Sequence, residues 1–402
     1  MASLTADDQP RIWIQKNYAS FNGIRGLAVL LVFGSHFLWI APFYQLVYLQ
    51  NFGFLGVELF FVLSGFLITG ILYDVMDEPN YFRHFYIRRS LRIFPLFYGL
   101  YLVMAVLSPF LHLRFVGHVP AFLLYVGNLL PPFIHEGMGR LNSVRIPIHG
   151  HWYTAASMGH FWSLCVEEQF YLLWPAVVLW VRSRVTLMRV CVLGMVVALA
   201  IRITLRTVFP QLATDTDFIY DATYTRFDTL LVGAFLALYL RGNTLTRAQL
   251  HRASWWLIAL PGALAFCGGM VHFSIWNFQG SPFTQTIGFT LIALASAGVL
   301  LQSLDDTGRL SRFFRSRALA RLGIVSYGFY VIHGLPGVLL HELDEPIHDW
   351  LHAQHALRAG IFFGWLLLAW LLAECSFRLY EQPFLRLKNK LAPERKLIHI
   401  DK

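Results

Sequence analysis

The run Phe21-Asn22-Gly23-Ile24-Arg25-Gly26-Leu27-Ala28-Val29-Leu30-Leu31-Val32-Phe33-Gly34-Ser35-His36-Phe37 decides what kind of protein this is. It has the apolar character and length of a bilayer-crossing helix, yet it carries an arginine and a histidine. Ionisable groups in lipid are costly and mark a functional site by default. Arg25 and His36 are eleven residues apart, close to three helical turns, so they share one helix face about 16 Å apart along the axis. That gap is too long for a salt bridge. It suits an elongated substrate held at one end by a cation and reacting at the other.

The rest of the chain agrees. Of 402 residues, 56% are hydrophobic and 14% charged, and the mean hydropathy is +0.54, as in a polytopic membrane protein. About ten apolar runs are long enough to span, roughly 21–41, 52–73, 93–113, 159–181, 188–209, 224–241, 254–273, 284–303, 321–341 and 358–380. The expected fold class is therefore all-α, a bundle of about ten transmembrane helices with both termini cytoplasmic. Val119 to Leu130 is too short to cross and reads as re-entrant or interfacial. The expected organisation is a cytoplasmic segment 1–20, one membrane domain 21–384 and a basic cytoplasmic tail 385–402.

The formal charge of +9 calls for no nucleic acid. With the N-terminus inside, the outward loops carry Arg114, Arg140 and Arg145, and the other loop and tail Lys and Arg residues face the cytoplasm, as the positive-inside rule requires. The stretch ahead of the first span has neither the apolar core nor the cleavage site of a signal peptide, so the first helix is expected to stay. Cys165, Cys191, Cys267 and Cys375 all lie in apolar runs without a CxxC pair and read as small buried hydrophobes.

Depth along each run gathers the ionisable residues into levels. His36 near the outer end of span one, Glu58 near the outer start of span two, Glu167 in Trp162-Ser163-Leu164-Cys165-Val166-Glu167-Glu168 and His333 near the outer end of span nine converge on the outer half. A histidine oriented by a carboxylate is a competent general base for a hydroxyl. Such a set can equally be a polar network that fixes helix register. At the inner face, Arg25 meets Arg89 and Arg92, which share a helix face at i, i+3 and suit phosphates.

Two weaker features remain. Arg202 and Arg206, with Arg226 and Asp228, could bind a glycan or a lipid phosphate, or else snorkel or pair with Asp215, Asp217 and Asp221. The His149-Gly150-His151 pair has no further ligand at metal spacing, so no metal is expected.

Taken in order, the motifs resemble the acyltransferase 3 family of membrane enzymes. They are Arg25 with His36, Phe60-Phe61-Val62-Leu63-Ser64-Gly65-Phe66-Leu67-Ile68, Arg89-Ser90-Leu91-Arg92, Trp162 to Tyr171, Ser326-Tyr327-Gly328-Phe329-Tyr330-Val331-Ile332-His333 and Glu381-Gln382-Pro383. The resemblance runs from about Phe21 to Phe384. It implies transfer of an acyl group, usually acetyl, from cytoplasmic acyl-CoA as cosubstrate, with no permanently bound cofactor. The acceptor is a hydroxyl of a glycan, a lipid-linked sugar or a small molecule. It implies His36 as the catalytic histidine, with Arg25, Arg89, Arg92 and Ser64 serving the donor. Cys165 stands where the family often has serine, and larger members carry an outward esterase-like domain that this chain is expected to lack.

The combined expectation is a multi-pass O-acyltransferase of a bacterial cytoplasmic membrane. In it His36 acts as base with Glu58 or Glu167 orienting it, His333 joins the site, and Arg202, Arg206, Arg226 and Asp228 face the acceptor. A proton-coupled transporter is the rival, since membrane carboxylates and histidines also form proton relays. A non-catalytic flippase partner is a third reading.

Overall fold

The computed structural model describes residues 13–14, 18–41, 47–129, 142–148, 150–211, 218–272, 280–336, 340 and 354–393. The first helices are α1 (Ala19–Phe37), α2 (Phe54–Asp74), α3 (Tyr81–Leu111) and the short α4 (Val119–Leu123). There follow α5 (Trp162–Val181), α6 (Arg184–Val208), α7 (Thr223–Leu240), α8 (Arg247–His272) and α9 (Phe289–Ser303). The last are α10 (Arg309–Phe314), α11 (Arg317–Ile324), α12 (Ser326–His333), α13 (His355–Ser376) and α14 (Gln382–Leu391). Among the described residues eight helical stretches are long and apolar enough to cross a membrane. The chain is a multi-pass integral membrane protein with an all-α bundle.

Two of the expected spans take another form. Run 224–241 forms α7, but Arg226 and Asp228 lie within it and it is not among the eight. Run 321–341 is broken: α11 ends at Ile324, α12 starts at Ser326, and the part beyond Pro336 lies almost wholly outside the described residues.

Glycines fix which face of α2 meets which neighbour. A side chain at Gly56 would collide with the Ala28 carbonyl of α1, one at Gly65 with the Leu230 carbonyl of α7, and one at Gly233 with the Val62 carbonyl. Backbones approach closely at such sites, as small residues allow between membrane helices. Positions 58, 62 and 65 follow the i, i+4, i+7 spacing of one helix face, so Glu58 lies on the stripe that packs against α7. Gly56, about 200° away around the helix, holds the α1 side.

Between α3 and α5 the chain makes a small antiparallel sheet that the helical reading did not anticipate. It has the order β1 (Arg114–Gly117), β2 (Asn142–Ile148), β3 (His151–Ser157). Gly150, at φ +84°, sits in the turn joining β2 to β3, where Ile148 pairs with His151, a conformation glycine adopts without strain. The sheet is tied down at one end. Ser157 N–H donates to the Leu335 carbonyl at 2.9 Å, Met158 N–H to Asn142 O at 2.8 Å, and Tyr101 OH to Asn142 Oδ1 at 2.9 Å.

The short apolar piece 119–129 enters the bundle without crossing. Its exposed backbone is satisfied by helix side chains: Tyr98 OH donates to Leu123 O at 2.8 Å and Gln169 Nε2 to Tyr125 O at 2.7 Å. Asn128 accepts from the same Gln169 amide at 2.9 Å and donates to Thr223 Oγ1 at 2.8 Å and to the Asp221 carbonyl at 3.1 Å. Non-helical backbone at membrane depth needs such partners.

Candidate active site

His36 occupies the last turn of α1 and is half-buried; His333 ends α12 and is fully buried. Their rings stack with centroids 5.0 Å apart and planes inclined by 6°, and His36 Nδ1 lies 3.1 Å from His333 Nε2. His333 Nδ1 is 2.8 Å from the Tyr330 carbonyl and 3.2 Å from that of Phe329. Carbonyls only accept, so His333 Nδ1 carries the proton and, in the neutral ring, Nε2 is a lone pair. His36 Nδ1–H therefore donates to it. That fixes the His36 tautomer and leaves His36 Nε2 as an acceptor, the state a general base needs.

A third imidazole completes the group. His160, in the turn ahead of α5, lies with its ring centroid 5.9 Å from His36 and 5.1 Å from His333. The bond from Ser157 N–H to Leu335 O brings it there, because it joins the chain just before His160 to the chain just after His333. Gly334 leaves the room: a Cβ there would sit 2.6 Å from the His160 ring. Sequence reasoning passed over His160. The available signal was its place in Gly159-His160-Phe161-Trp162, at the outer start of a span and level with His36.

Neither carboxylate expected to orient His36 does so. Glu58 is fully buried and is taken by α7: Arg226 Nη2 pairs with its Oε1, and Thr229 Oγ1 donates to Oε2 at 2.9 Å. Glu58 faces α7 and not His36, and it lies further in: Gly53 packs level with Ser35 and Gly56 against Ala28. Glu167 receives the Ser64 hydroxyl at 2.5 Å. It lies seven residues further along than His160, on the order of 10 Å, so the level of His36 belongs to His160.

The residues expected to face an acceptor are instead a buried staple. Arg202, Arg226 and Asp228 are fully buried. Arg202 Nη2 pairs with Asp228 Oδ2 at 2.9 Å, and its Nε and Nη1 donate to the carbonyls of Thr286 (2.9 Å) and Thr225 (2.5 Å). Thr290 Oγ1 donates to the same Asp228 oxygen at 2.7 Å. Arg226 is flanked by the rings of Phe289 and Tyr220, 4.2 and 5.0 Å from its guanidinium carbon. Arg206 is half-buried and stands outside this network. Asp215 and Asp217, two of the partners considered for these arginines, lie outside the described residues.

Arg25, Arg89 and Arg92 behave differently. They are brought together from α1 and α3, each within electrostatic reach of the others, and Glu167 and Tyr171 of α5 act on them as well. Among the described residues none of the three has an ion-pair partner. Arg25 donates to Asn22 Oδ1 at 3.1 Å, and Arg89 lies 4.9 Å over the Tyr171 ring. Arg25 and Arg89 are half-buried and Arg92 is exposed. Arg88 points elsewhere, donating to Ala392 O at 2.7 Å. Glu381 is electrostatically coupled to Arg92 and accepts from Ser376 at 3.0 Å.

The arginine and histidine groups are joined by a polar seam between α5 and α12. Tyr330, one turn before His333, has its hydroxyl 2.5 Å from Ser163 Oγ and donates to the His160 carbonyl at 2.7 Å. Tyr327, a further turn on, is electrostatically coupled to Glu167, Glu168, Arg92 and Glu381 and donates to Ile93 O at 2.6 Å. From His160 to Tyr171 the seam covers on the order of 15 Å, matching the Arg25-to-His36 separation on α1. Cys165 is fully buried on the same helix. Among the described residues no group of three or more His, Cys, Asp or Glu side chains is placed to hold a metal; His149 lies outside them.

The family model for an acyltransferase domain matches residues 18–374, and this range holds the histidine group, Arg25, Arg89, Arg92 and Ser64. The chain belongs to the acyltransferase 3 family. Over 385 residues it is 29% identical to the peptidoglycan O-acetyltransferase OatA of Listeria monocytogenes, covering 92% of this chain and 56% of that protein. It is 29% identical over 374 residues to the putative peptidoglycan O-acetyltransferase YrhL of Bacillus subtilis, covering 90% and 54%. With the O-acetyltransferase OatA of Staphylococcus aureus it shares 26% over 383 residues, covering 90% and 56%. The chain spans about half the length of the curated relatives it matches. No solved structure matches it.

Proposed function

We propose that this acyltransferase 3 chain is a membrane O-acyltransferase. It takes an acyl group, acetyl by analogy with its relatives, from acyl-CoA and places it on a hydroxyl of a glycan or related acceptor. The observation that carries the reading is the His36–His333–Tyr330 relay, which turns a basic nitrogen toward the substrate at one end of a seam whose other end holds three arginines that have no ion-pair partner among the described residues. Three unpaired cations suit the phosphates of a coenzyme. The pantetheine arm then runs along the seam, with the nucleotide on the cytoplasmic side and the thioester at His36, in a bacterial cytoplasmic membrane.

His36 Nε2 takes the proton of the acceptor hydroxyl as its oxygen attacks the thioester carbonyl. The C–S bond breaks, and the thiolate leaves with the proton that His36 had taken. His333 stabilises the transient imidazolium through the bond it already makes, with the Tyr330 carbonyl behind it. A carboxylate fills this place in the serine-hydrolase arrangement; here a second imidazole and a carbonyl do. Family membership favours transfer over transport, and the unpaired arginines have no evident use in a proton-coupled carrier.

The test is release of free thiol from acetyl-CoA and appearance of labelled acyl product, using purified full-length protein and a hydroxyl acceptor. Product formed by wild type and lost in His36→Ala supports the reading. A His36→Ala protein that turns over like wild type removes it.

A further inference from the structure

β1 and β2 set Arg114 directly opposite Arg145, so the two side chains leave the sheet on one face. Like charges placed opposite each other destabilise a strand pair. No described residue from 112 to 161 is acidic, and among the described residues neither arginine has an ion-pair or hydrogen-bond partner. Arg145 Nε is buried in that state, which is costly for a donor. The same face carries Trp152, which pairs with Pro147, two positions along β2 from Arg145. Its indole is 39% exposed, and the Arg114 guanidinium lies 4.3 Å over the ring. The positive-inside rule strips outward segments of arginine, so a pair held side by side there calls for a partner.

Two cations and an exposed aromatic ring on one sheet face suit an acidic saccharide. The indole face takes the C–H face of a sugar ring, and the guanidiniums take a carboxylate through paired N–H donors. A bare anion leaves Trp152 unused, and a neutral sugar leaves the arginines repelling. Position sets the length of the ligand. Ser157 N–H is bonded to Leu335 O, beside the histidine group, and Trp152 lies five residues back along β3, about 17 Å at strand spacing. Resting on the acyl-transfer reading above, we propose that this sheet face holds an acidic glycan chain, an acceptor several sugars long whose other end reaches His36. One sugar ring lies on Trp152, and its carboxylate lies between Arg114 and Arg145.

The experiment is calorimetric titration of purified full-length protein, in a detergent without sugar, with hexagalacturonic acid and with maltohexaose. The two probes have equal length and differ in their carboxylates. Wild type binds the acidic probe more tightly by about tenfold or more. Arg114→Ala and Arg145→Ala each weaken that probe by about tenfold and leave maltohexaose unchanged, which also reports that the sheet is still folded. Trp152→Ala weakens both probes, and Trp152→Phe, which keeps an aromatic face, restores much of the loss. Equal affinity of wild type for the two probes, or wild-type binding by Arg114→Ala and Trp152→Ala, overturns the proposal. So does displacement of the acidic probe by inorganic phosphate at comparable concentration, which marks a bare anion site. Binding is read without an acyl donor, so its failure leaves the transfer reading to the thiol-release assay, and failure of that assay leaves the binding result standing.

Discussion

Glu58 and Arg226 form an ion pair between α2 and α7 with both side chains fully buried, and Thr229 holds the second carboxylate oxygen. Removing one partner of such a pair leaves a charge without compensation, which costs about 3–5 kcal/mol. Glu58→Ala is therefore expected to lower the yield and melting temperature of detergent-purified protein. The double variant Glu58→Leu with Arg226→Met is expected to regain much of that loss. Glu58→Ala with wild-type stability refutes the staple.

His333→Ala removes the acceptor that fixes the His36 tautomer without touching the substrate. Its kcat is expected to fall by about 10²- to 10⁴-fold, the range of a general-base contribution, with KM for acyl-CoA little changed. His333→Gln, whose Oε1 can take the His36 Nδ1–H, is expected to recover part of the loss. Full turnover in His333→Ala would mean that the tautomer is set by something else.

Arg89→Ala and Arg92→Ala each remove a charge-assisted contact worth roughly 1.5–3 kcal/mol. Each is expected to weaken binding of acyl-CoA by about 10- to 100-fold, measured directly with labelled donor. Truncating the donor to acetyl-pantetheine removes the nucleotide phosphates, and the variants should then bind it as wild type does. Equal losses for both donors would place these arginines outside the phosphate site.

Gly334→Ala places a methyl 2.6 Å from the His160 ring. The ring must move, and displacements of about 1 Å in a reacting site cost on the order of 10²-fold. Acylation is expected to drop by about that factor. Cys165→Ala is expected to keep near-wild-type kcat, since a fully buried thiol cannot reach substrate, and an inactive but folded Cys165→Ala protein would reopen a nucleophile role.

Periodicity and hydropathy carried the sequence reading as far as levels and no further. Most of the spans, the short piece before Leu130 that does not cross and the gathering of Arg25, Arg89 and Arg92 were legible because depth follows from counting residues along a helix. Facing was not. Glu58 faces α7 and not His36, and its side is set by Gly56, Gly65 and Gly233, whose contacts exist only once the helices pack. Arg202, Arg226 and Asp228 looked like exposed ligand groups because a sequence does not say which charges will bury one another. The sheet was missed because its strands lie in a segment read as a loop. Its turn was nonetheless visible at Gly150, in the pair of histidines considered there as metal ligands. His160 stood two residues ahead of the Trp162 to Tyr171 motif and drew no attention beside two glutamates.

Ser163 and Tyr330 occupy the middle of the seam, and neither carries charge at neutral pH. On one side stand imidazoles that can gain and lose protons; on the other stand permanently charged guanidiniums with carboxylates among them. A bundle threaded by ionisable groups from end to end would offer protons a path down the membrane potential. The hydroxyl pair, locked on the His160 carbonyl, sets a neutral rung between these two charged or chargeable groups.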